Sequence, residues 1–371
     1  MDVIGVGDGA LLKLRRAGNE PTKIAAEPPA PARPPRSHTW WNDRPVGQRV
    51  YTVDAKKLPL LSVRGNKFVD PAGTPVLLRG LCLSDPDKLE MQGHWNREHF
   101  VKVKEMGAKL VRIPVHPVAW RERTPAEYLW LLDQAVGWCT ELGLYVMIDW
   151  HSIGNLATGV FQDPMYDTTR EETNNFWRVM ARHYAGHNTV ALFELFNEPT
   201  TYREQLGPIA WSEWKRLVET QITMIRAANP QVIPVVAGFD WAYDLTPVRL
   251  EPIAAERIAY SVHPYANKRP QPWAPKWELD FGFVADKYPV IATEFGGFPK
   301  PPAPVGASPA PAPVRNATYG PEIIAYLESK GISWTVWCFD PEWGPTLIQN
   351  WDYELTPSGE FAKTALLAAG R

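Results

Sequence analysis

The sequence predicts an α/β protein: a (β/α)8 barrel, the TIM barrel, preceded by a small N-terminal β-hairpin and a Pro-rich N-terminal tail. Three observations predict it. Short β-branched or apolar runs alternate with amphipathic helical stretches from about residue 76 onward. Eight such runs occur, spaced by roughly 35 residues, which suits a barrel of about 250 residues with insertions. No Gly-rich phosphate turn follows the first run, where Gly80-Leu-Cys-Leu-Ser-Asp85 stands, so a doubly wound open sheet fits less well.

The elements follow in order. Residues 1–45 are Pro-rich and read as an extended tail or linker, and residues 46–371 as the barrel domain. Between Leu61 and Gly80, two apolar runs flank Asp70-Pro-Ala-Gly73, with a further turn signal at Gly65-Asn66, so a hairpin is expected there. The expected barrel strands are Val76–Leu81, Leu110–Val115, Tyr145–Trp150, Val190–Phe196, Val232–Ala237, Ile258–His263, Val290–Thr293 and Ile332–Trp337. Asn96 precedes a helix with Phe100, Val103 and Met106 on one face. Thr124-Pro-Ala-Glu127 is a capping box, and its helix runs to Gly143. Thr168-Thr-Arg-Glu171 opens a helix that Gly186 stops, and a further helix is expected over Gln205–Ala228.

Composition narrows the function. The 371 residues carry a net charge of −2 with no basic stripe, which argues against nucleic acid as a partner. The longest apolar runs, such as Val232–Ala237, are far too short to span a bilayer, so no membrane span is expected. No apolar signal region is visible near the start, and the compartment is left open. Cys82, Cys139 and Cys338 are far apart and share no ligand spacing, so buried free thiols are expected and no metal or cofactor. A monomer is expected. The 17 Trp are many for this length, and flat apolar sugar faces are one partner that uses them.

In such a barrel, chemistry collects at the carboxyl ends of the strands. Those positions hold Arg112 and His116 on strand two, Asp149-Trp150-His151 on strand three and Asn197-Glu198 on strand four. They hold His263-Pro-Tyr265 on strand six, Glu294 on strand seven and Trp337 on strand eight. Glu198 and Glu294 are 96 residues apart, three units of about 32, which puts them on opposite walls of the barrel mouth. Glycosidic cleavage needs such a pair: about 5 Å apart for retention, about 6.5–9.5 Å for inversion. Arg112 and Tyr265 are placed to favour an ionised Glu294, and His151 and His263 to bond sugar hydroxyls or the acid. Trp337 supplies an apolar floor beneath a sugar ring.

Leu192-Phe-Glu-Leu-Phe-Asn-Glu-Pro199 resembles the strand-four signature of glycoside hydrolase family 5, the cellulase family, within a clan of retaining barrels. Val111-Arg112-Ile-Pro, Met147-Ile-Asp-Trp-His151, His263-Pro-Tyr265, Val290-Ile-Ala-Thr-Glu294 and Trp337 match further pieces in the correct strand order. The resemblance covers roughly Leu61–Ala369. It implies that Glu198 is the general acid/base and Glu294 the nucleophile, that Asn197 holds the sugar 2-hydroxyl, and that Arg112 and Tyr265 tune Glu294. It implies a β-linked polysaccharide or oligosaccharide as partner, an endo-β-1,4-glucanase as the leading activity, and a secreted or periplasmic setting. A β-mannanase or an exo-acting β-glycosidase of the same fold is the alternative. The Pro-rich segment 298–316 follows the nucleophile strand and would favour an exo site if it walls the cleft.

Other readings stand beside these. Glu194, four residues before Glu198, reads as a barrel-interior structural acid, and Asp149 either orients a neighbour or reacts. Trp150, Trp241, Trp343 and Trp351 are possible sugar platforms by position, whereas Trp130, Trp138, Trp177, Trp211 and Trp214 fall on helices and are expected to pack on the barrel. A non-catalytic carbohydrate-binding barrel would keep the aromatic residues and lose a carboxylate, but both are present here. A metal-dependent hydrolase would want His-x-His after strand one, which Leu81–Asp85 lacks.

Overall fold

The structure, a computed structural model, describes residues 54–297 and 318–368. The tail expected over 1–45, its boundary with the barrel domain, and the Pro-rich segment 298–316 lie outside the described residues.

Three short strands come first: β1 (Ser62–Arg64), β2 (Lys67–Val69) and β3 (Pro75–Val76). They form an antiparallel sheet in that order, one strand more than the expected hairpin. Both turn signals serve, with Gly65 and Gly73 at φ +58° and +83°. Eight parallel strands then close a barrel: β4 (Arg79–Cys82), β5 (Leu110–Val115), β6 (Tyr145–Trp150), β9 (Val190–Glu194), β11 (Ile233–Ala237), β12 (Ala259–Val262), β13 (Val290–Ala292) and β14 (Ser333–Val336). A third sheet, β7 (Ile153–Asn155), β8 (Val160–Phe161) and β10 (Glu198–Pro199), follows directly from the ends of β6 and β9 at the barrel mouth. The helices are α1 (Pro86–Met91), α2 (Arg97–Glu105), α3 (Pro117–Glu122), α4 (Pro125–Leu142), α5 (Arg170–His183), α6 (Trp211–Ala228), α7 (Phe239–Ala242), α8 (Ala274–Asp280), α9 (Tyr319–Lys330) and α10 (Pro357–Ala368). None of the described helices is long and apolar enough to cross a membrane.

Most strands agree with expectation to within two residues. The first does not. Val76 pairs with Phe68 in the antiparallel sheet, and the barrel strand starts only at Arg79. Gly80 shows why this strand has its own composition. A Cβ there would sit 1.7 Å from the Leu110 carbonyl oxygen of β5, and backbone cannot yield. Gly80→Ala is expected to cost about 3 kcal/mol, read as a lowered thermal midpoint. An unchanged midpoint would show that β4 and β5 can separate freely.

Helix starts were legible where a cap was. Asn96 caps α2, and Thr124 with Glu127 forms the reciprocal box that opens α4, which Gly143 ends in the left-handed conformation. Two boundaries differ. Thr169, not Thr168, caps α5 by accepting from the Glu172 N–H. Its last residue is His183, three before the Gly186 stop. α6 starts at Trp211, not Gln205, because Gly207 lies in the left-handed region at φ +81° and Pro208 follows it.

Alternation along the strands divides the core into two layers. Val111, Ile113, Val146, Ile148 and Phe193 face outward and pack with Leu131, Leu132, Phe176 and Trp177 of the helices. Leu110, Met147, Leu192, Val235 and Ile291 face inward and join Leu61 and Phe68, so the N-terminal sheet plugs the floor of the barrel. Trp138, Trp177 and Trp214 belong to the outer layer, and Trp130 and Trp211 pack against it, as expected. All three cysteines are buried free thiols.

Candidate active site

The same alternation that sends Leu110 and Met147 inward sends Arg112 and Asp149 inward one step higher. Arg112 is fully buried at the centre of the polar layer. Its Nε donates to Glu194 Oε2 at 2.6 Å, one terminal nitrogen to Glu294 Oε1 at 2.7 Å, and the other to Asn197 Oδ1 at 2.7 Å. That last nitrogen also lies 2.9 Å from Asp149 Oδ2. One guanidinium therefore ties together the ends of four strands. Its charge is compensated by three carboxylates, as a buried cation requires. Glu194 is the structural acid expected from the sequence. Its second oxygen accepts from the Thr293 hydroxyl at 2.7 Å. Burial opposes its ionisation, but Arg112 and His263 hold it down at about 2.

Glu294 stands above this layer. Arg112 donates to one oxygen and the Tyr265 hydroxyl to the other at 3.1 Å, the two contacts expected. Burial raises its carboxyl above the ordinary range, with His263 and Arg112 pulling it back. Glu198 approaches from β10, whose backbone is pinned to the start of β7: the Glu198 N–H donates to the Ser152 carbonyl at 3.1 Å. A carboxylate oxygen of Glu198, one of Glu294 and a ring nitrogen of His263 all lie within 4.8 Å of one another.

His263 links the two layers. Its Nδ1 lies 2.8 Å from Glu198 Oε1 and its Nε2 lies 3.0 Å from Thr293 Oγ1. The Thr293 hydroxyl spends its proton on Glu194, so it accepts from His263 Nε2–H. Nδ1 faces the Glu198 carboxyl, and the charged ring donates there as well. Burial opposes that charge, yet Glu294, Glu194 and Glu198 push the ring up to about 9. The folded protein thus binds a proton that the unfolded chain releases between about 6.5 and 9. Stability from this group is complete below 6.5 and is lost as pH rises through 9. Denaturation midpoints measured across that window should fall, and His263→Gln should flatten the slope. A slope equal to that of the wild type in His263→Gln would assign it elsewhere.

The other expected residues divide. His151 Nδ1 lies 2.6 Å from Asp149 Oδ2, so Asp149 orients its neighbour, and burial raises the Asp149 carboxyl well above the ordinary range with Arg112 opposing. Burial, with the neighbouring His116, Arg112 and His263, holds His151 well below the usual imidazole range. Its ring lies 5.4 Å from Trp337 and nearly parallel to it. Trp343 is nearly parallel to Trp337, with ring centroids 6.2 Å apart. Trp241 is half-buried on a left-handed turn at Asp240–Ala242 and lines a cavity of about 1940 Å³ with Glu198, Tyr202, Tyr265 and Lys268. Trp351 stacks on His94 at 3.9 Å, so one of its faces is covered.

Trp150 is not a platform. It is fully buried against Phe176 and donates its indole N–H to Thr173. The reason is the strand period: with Asp149 inward, Trp150 must face the helices. Sequence reasoning also passed over Tyr166 and Thr293. Thr293 was reachable, because Ile291 faces inward and the residue two further on shares its side. Tyr166 carried no local signal. It sits in a loop that Asp163 caps and Ser152 pins.

A family model described as Cellulase (glycosyl hydrolase family 5) matches residues 69–342. A solved β-glucanase, SdGluc5_26A from Saccharophagus degradans, is 43% identical, covers 90% of this chain and 100% of its own, and superposes with a TM-score of 0.82. That protein has also been solved in complex with cellotetraose. Among curated proteins, an endoglucanase from Clostridium saccharobutylicum is 24% identical over 86% of this chain, and endoglucanase E-5 from Thermobifida fusca is 25% identical over 64%. The match spans 68% of the first protein's length and 48% of the second's.

Proposed function

The chain belongs to glycosyl hydrolase family 5, and on that premise we propose that it hydrolyses β-linked glucan by double displacement, with endo-β-1,4-glucanase as the activity. The separation of the two carboxyl groups carries the reading. An oxygen of each lies within 4.8 Å of an oxygen of the other, which favours the close pairing of retaining enzymes, roughly 5–5.5 Å, over the roughly 6.5–9.5 Å of inverting pairs.

Glu198 protonates the glycosidic oxygen while a Glu294 oxygen attacks the anomeric carbon. The leaving sugar departs as an alcohol and a covalent glycosyl-enzyme forms. Glu198, now ionised, takes a proton from water, and the resulting hydroxide displaces Glu294 with a second inversion. His263 holds Glu198 in place. Arg112 and Tyr265 hold Glu294 and take back its charge when it leaves. The Asn197 Nδ2 amide is buried without a partner among the described residues, while its carbonyl accepts from Arg112. A sugar 2-hydroxyl would complete it. Trp337 offers the apolar floor of the cleaved unit, and Trp241 and Trp343 are the platforms for neighbouring units. The chemistry needs two carboxyls and water, with no cofactor. One chain supplies every residue of the set, so the reading requires no second copy.

The test has two arms. A hydrolysis screen over soluble cellulose derivatives, mixed-linkage glucan, mannan, xylan and short aryl glycosides should show glucan as preferred and short products from within the chain. Proton NMR of fresh products should show the β anomer first. Release of the α anomer would overturn the mechanism, and preference for mannan or release of units only from chain ends would move the activity to the alternatives.

A further inference from the structure

The proposed reaction uses His263, the sequence expects His151 to bond a sugar hydroxyl or the acid, and a third imidazole at the strand ends has neither role. His116 follows β5 directly and is buried. Its backbone N–H and its ring Nδ1 both contact Asp85 Oδ2, at 2.8 and 2.9 Å. Asp85 is held in turn by the Tyr128 hydroxyl and the Asp87 N–H on its other oxygen, both at 2.7 Å. An ionised carboxylate only accepts, so the ring proton sits on Nδ1 and Nε2 keeps its lone pair. No described residue bonds Nε2, and it is not among the sealed buried atoms without partners.

His151 has the same construction, with Asp149 in the place of Asp85. The two rings lie 4.5 Å apart. Tyr166 stacks on His116 at 5.8 Å and Trp343 meets its edge at 5.1 Å. Each ring is held through Nδ1 by a carboxyl group, and neither Nε2 has a hydrogen bond among the described residues. Acceptors paired on an aromatic wall suit donors that come in pairs on an apolar ring: the hydroxyls of a sugar.

We propose that His116 is a substrate-binding residue, its Nε2 accepting a hydroxyl of the β-glucan chain next to the hydroxyl that His151 takes. The assignment rests on the glucan reading above. The competing view is structural, with His116 present only to satisfy Asp85, which also caps α1. Two substitutions separate them. In His116→Asn the amide N–H replaces Nδ1–H toward Asp85, and nothing reaches the Nε2 position. In His116→Gln the longer amide places an oxygen near the Nε2 position and abandons Asp85.

The measurement is cellotetraose affinity by calorimetry in a Glu294→Gln background, with kcat/KM on cellotetraose in the otherwise native protein and thermal midpoints of all variants. Loss of one neutral hydrogen bond predicts a 3- to 10-fold drop, roughly, in affinity and kcat/KM for His116→Asn with its midpoint kept. His116→Gln should stay within about twofold in affinity and lose midpoint instead. Native affinity in His116→Asn, with His116→Gln impaired, overturns the proposal and leaves the glucan reading intact. A native protein that neither binds nor cleaves cellotetraose overturns both.

Discussion

Glu294→Gln is expected to lower kcat on soluble β-glucan by roughly 10⁴-fold or more, the scale on which removal of a covalent nucleophile acts. The amide keeps the shape of the side chain but cannot form the glycosyl ester. Its effect does not stop there. Arg112 and Tyr265 both donate to Glu294, so one of them must face an amide N–H in the variant. The buried guanidinium also loses one of its three carboxylates. A fall in stability is therefore expected beside the loss of rate, and the thermal midpoint must be measured with it. Steady-state kinetics decide the matter. A folded variant that retains a tenth of the native rate would remove Glu294 from the chemistry.

Glu198→Ala carries the second largest effect, about 10²–10⁴-fold on glucan, because a sugar alcohol leaves only if it is protonated. The size of the loss should depend on the leaving group. A dinitrophenyl glycoside leaves as a stable anion and needs no acid, so its first step should survive. The second step still lacks its base. The variant should then release a burst of dinitrophenolate followed by a slow steady rate, as the glycosyl-enzyme accumulates. A small nucleophile such as azide, which needs no deprotonation, should raise that slow rate. Equal losses on glucan and on the activated substrate, with no burst, would mean that Glu198 acts through structure. The alanine also strands His263, whose charge is supported by Glu198, Glu294 and Glu194 together. Its pH dependence of stability should therefore flatten as well.

The two effects differ in kind. Glu294 is held by donors on both oxygens and sits deep, with its protonation set by buried neighbours. Glu198 rests on a strand of two residues at the rim, its side chain 12% exposed against 7% for Glu294, and borders the large cavity that Trp241 also lines. A group that must pass a proton to substrate and then to water needs that access, and a group that attacks from a fixed position does not.

Much of this was legible in the linear order of residues. The barrel followed from alternation of strand and helix periods, which are local properties. The Thr124–Glu127 box placed a helix start because both partners of the motif lie within one turn. Glu198 and Glu294 were placed on facing walls because the barrel repeats, so that position in the repeat is position on the rim. Glu194 was placed inside by the period of two. The same rule, applied along strand three from Asp149, would have turned Trp150 away from the cleft. The strand boundary at Val76 was not local: Val76 belongs to the antiparallel sheet because Phe68 offers it a partner.

The sequence by itself determined the architecture, the two carboxyls, and the residues of the strand ends that surround them. These depend on periodicity and on chain order, and both are written along the chain. Only the tertiary structure decided the spacing within 4.8 Å, the upward push on the His263 ring, and the twin construction of His116 and His151. Each of those arises where side chains from strands far apart in sequence share one desolvated space. There the proton on a ring is set by what its other nitrogen touches, a relation that no stretch of the chain contains alone.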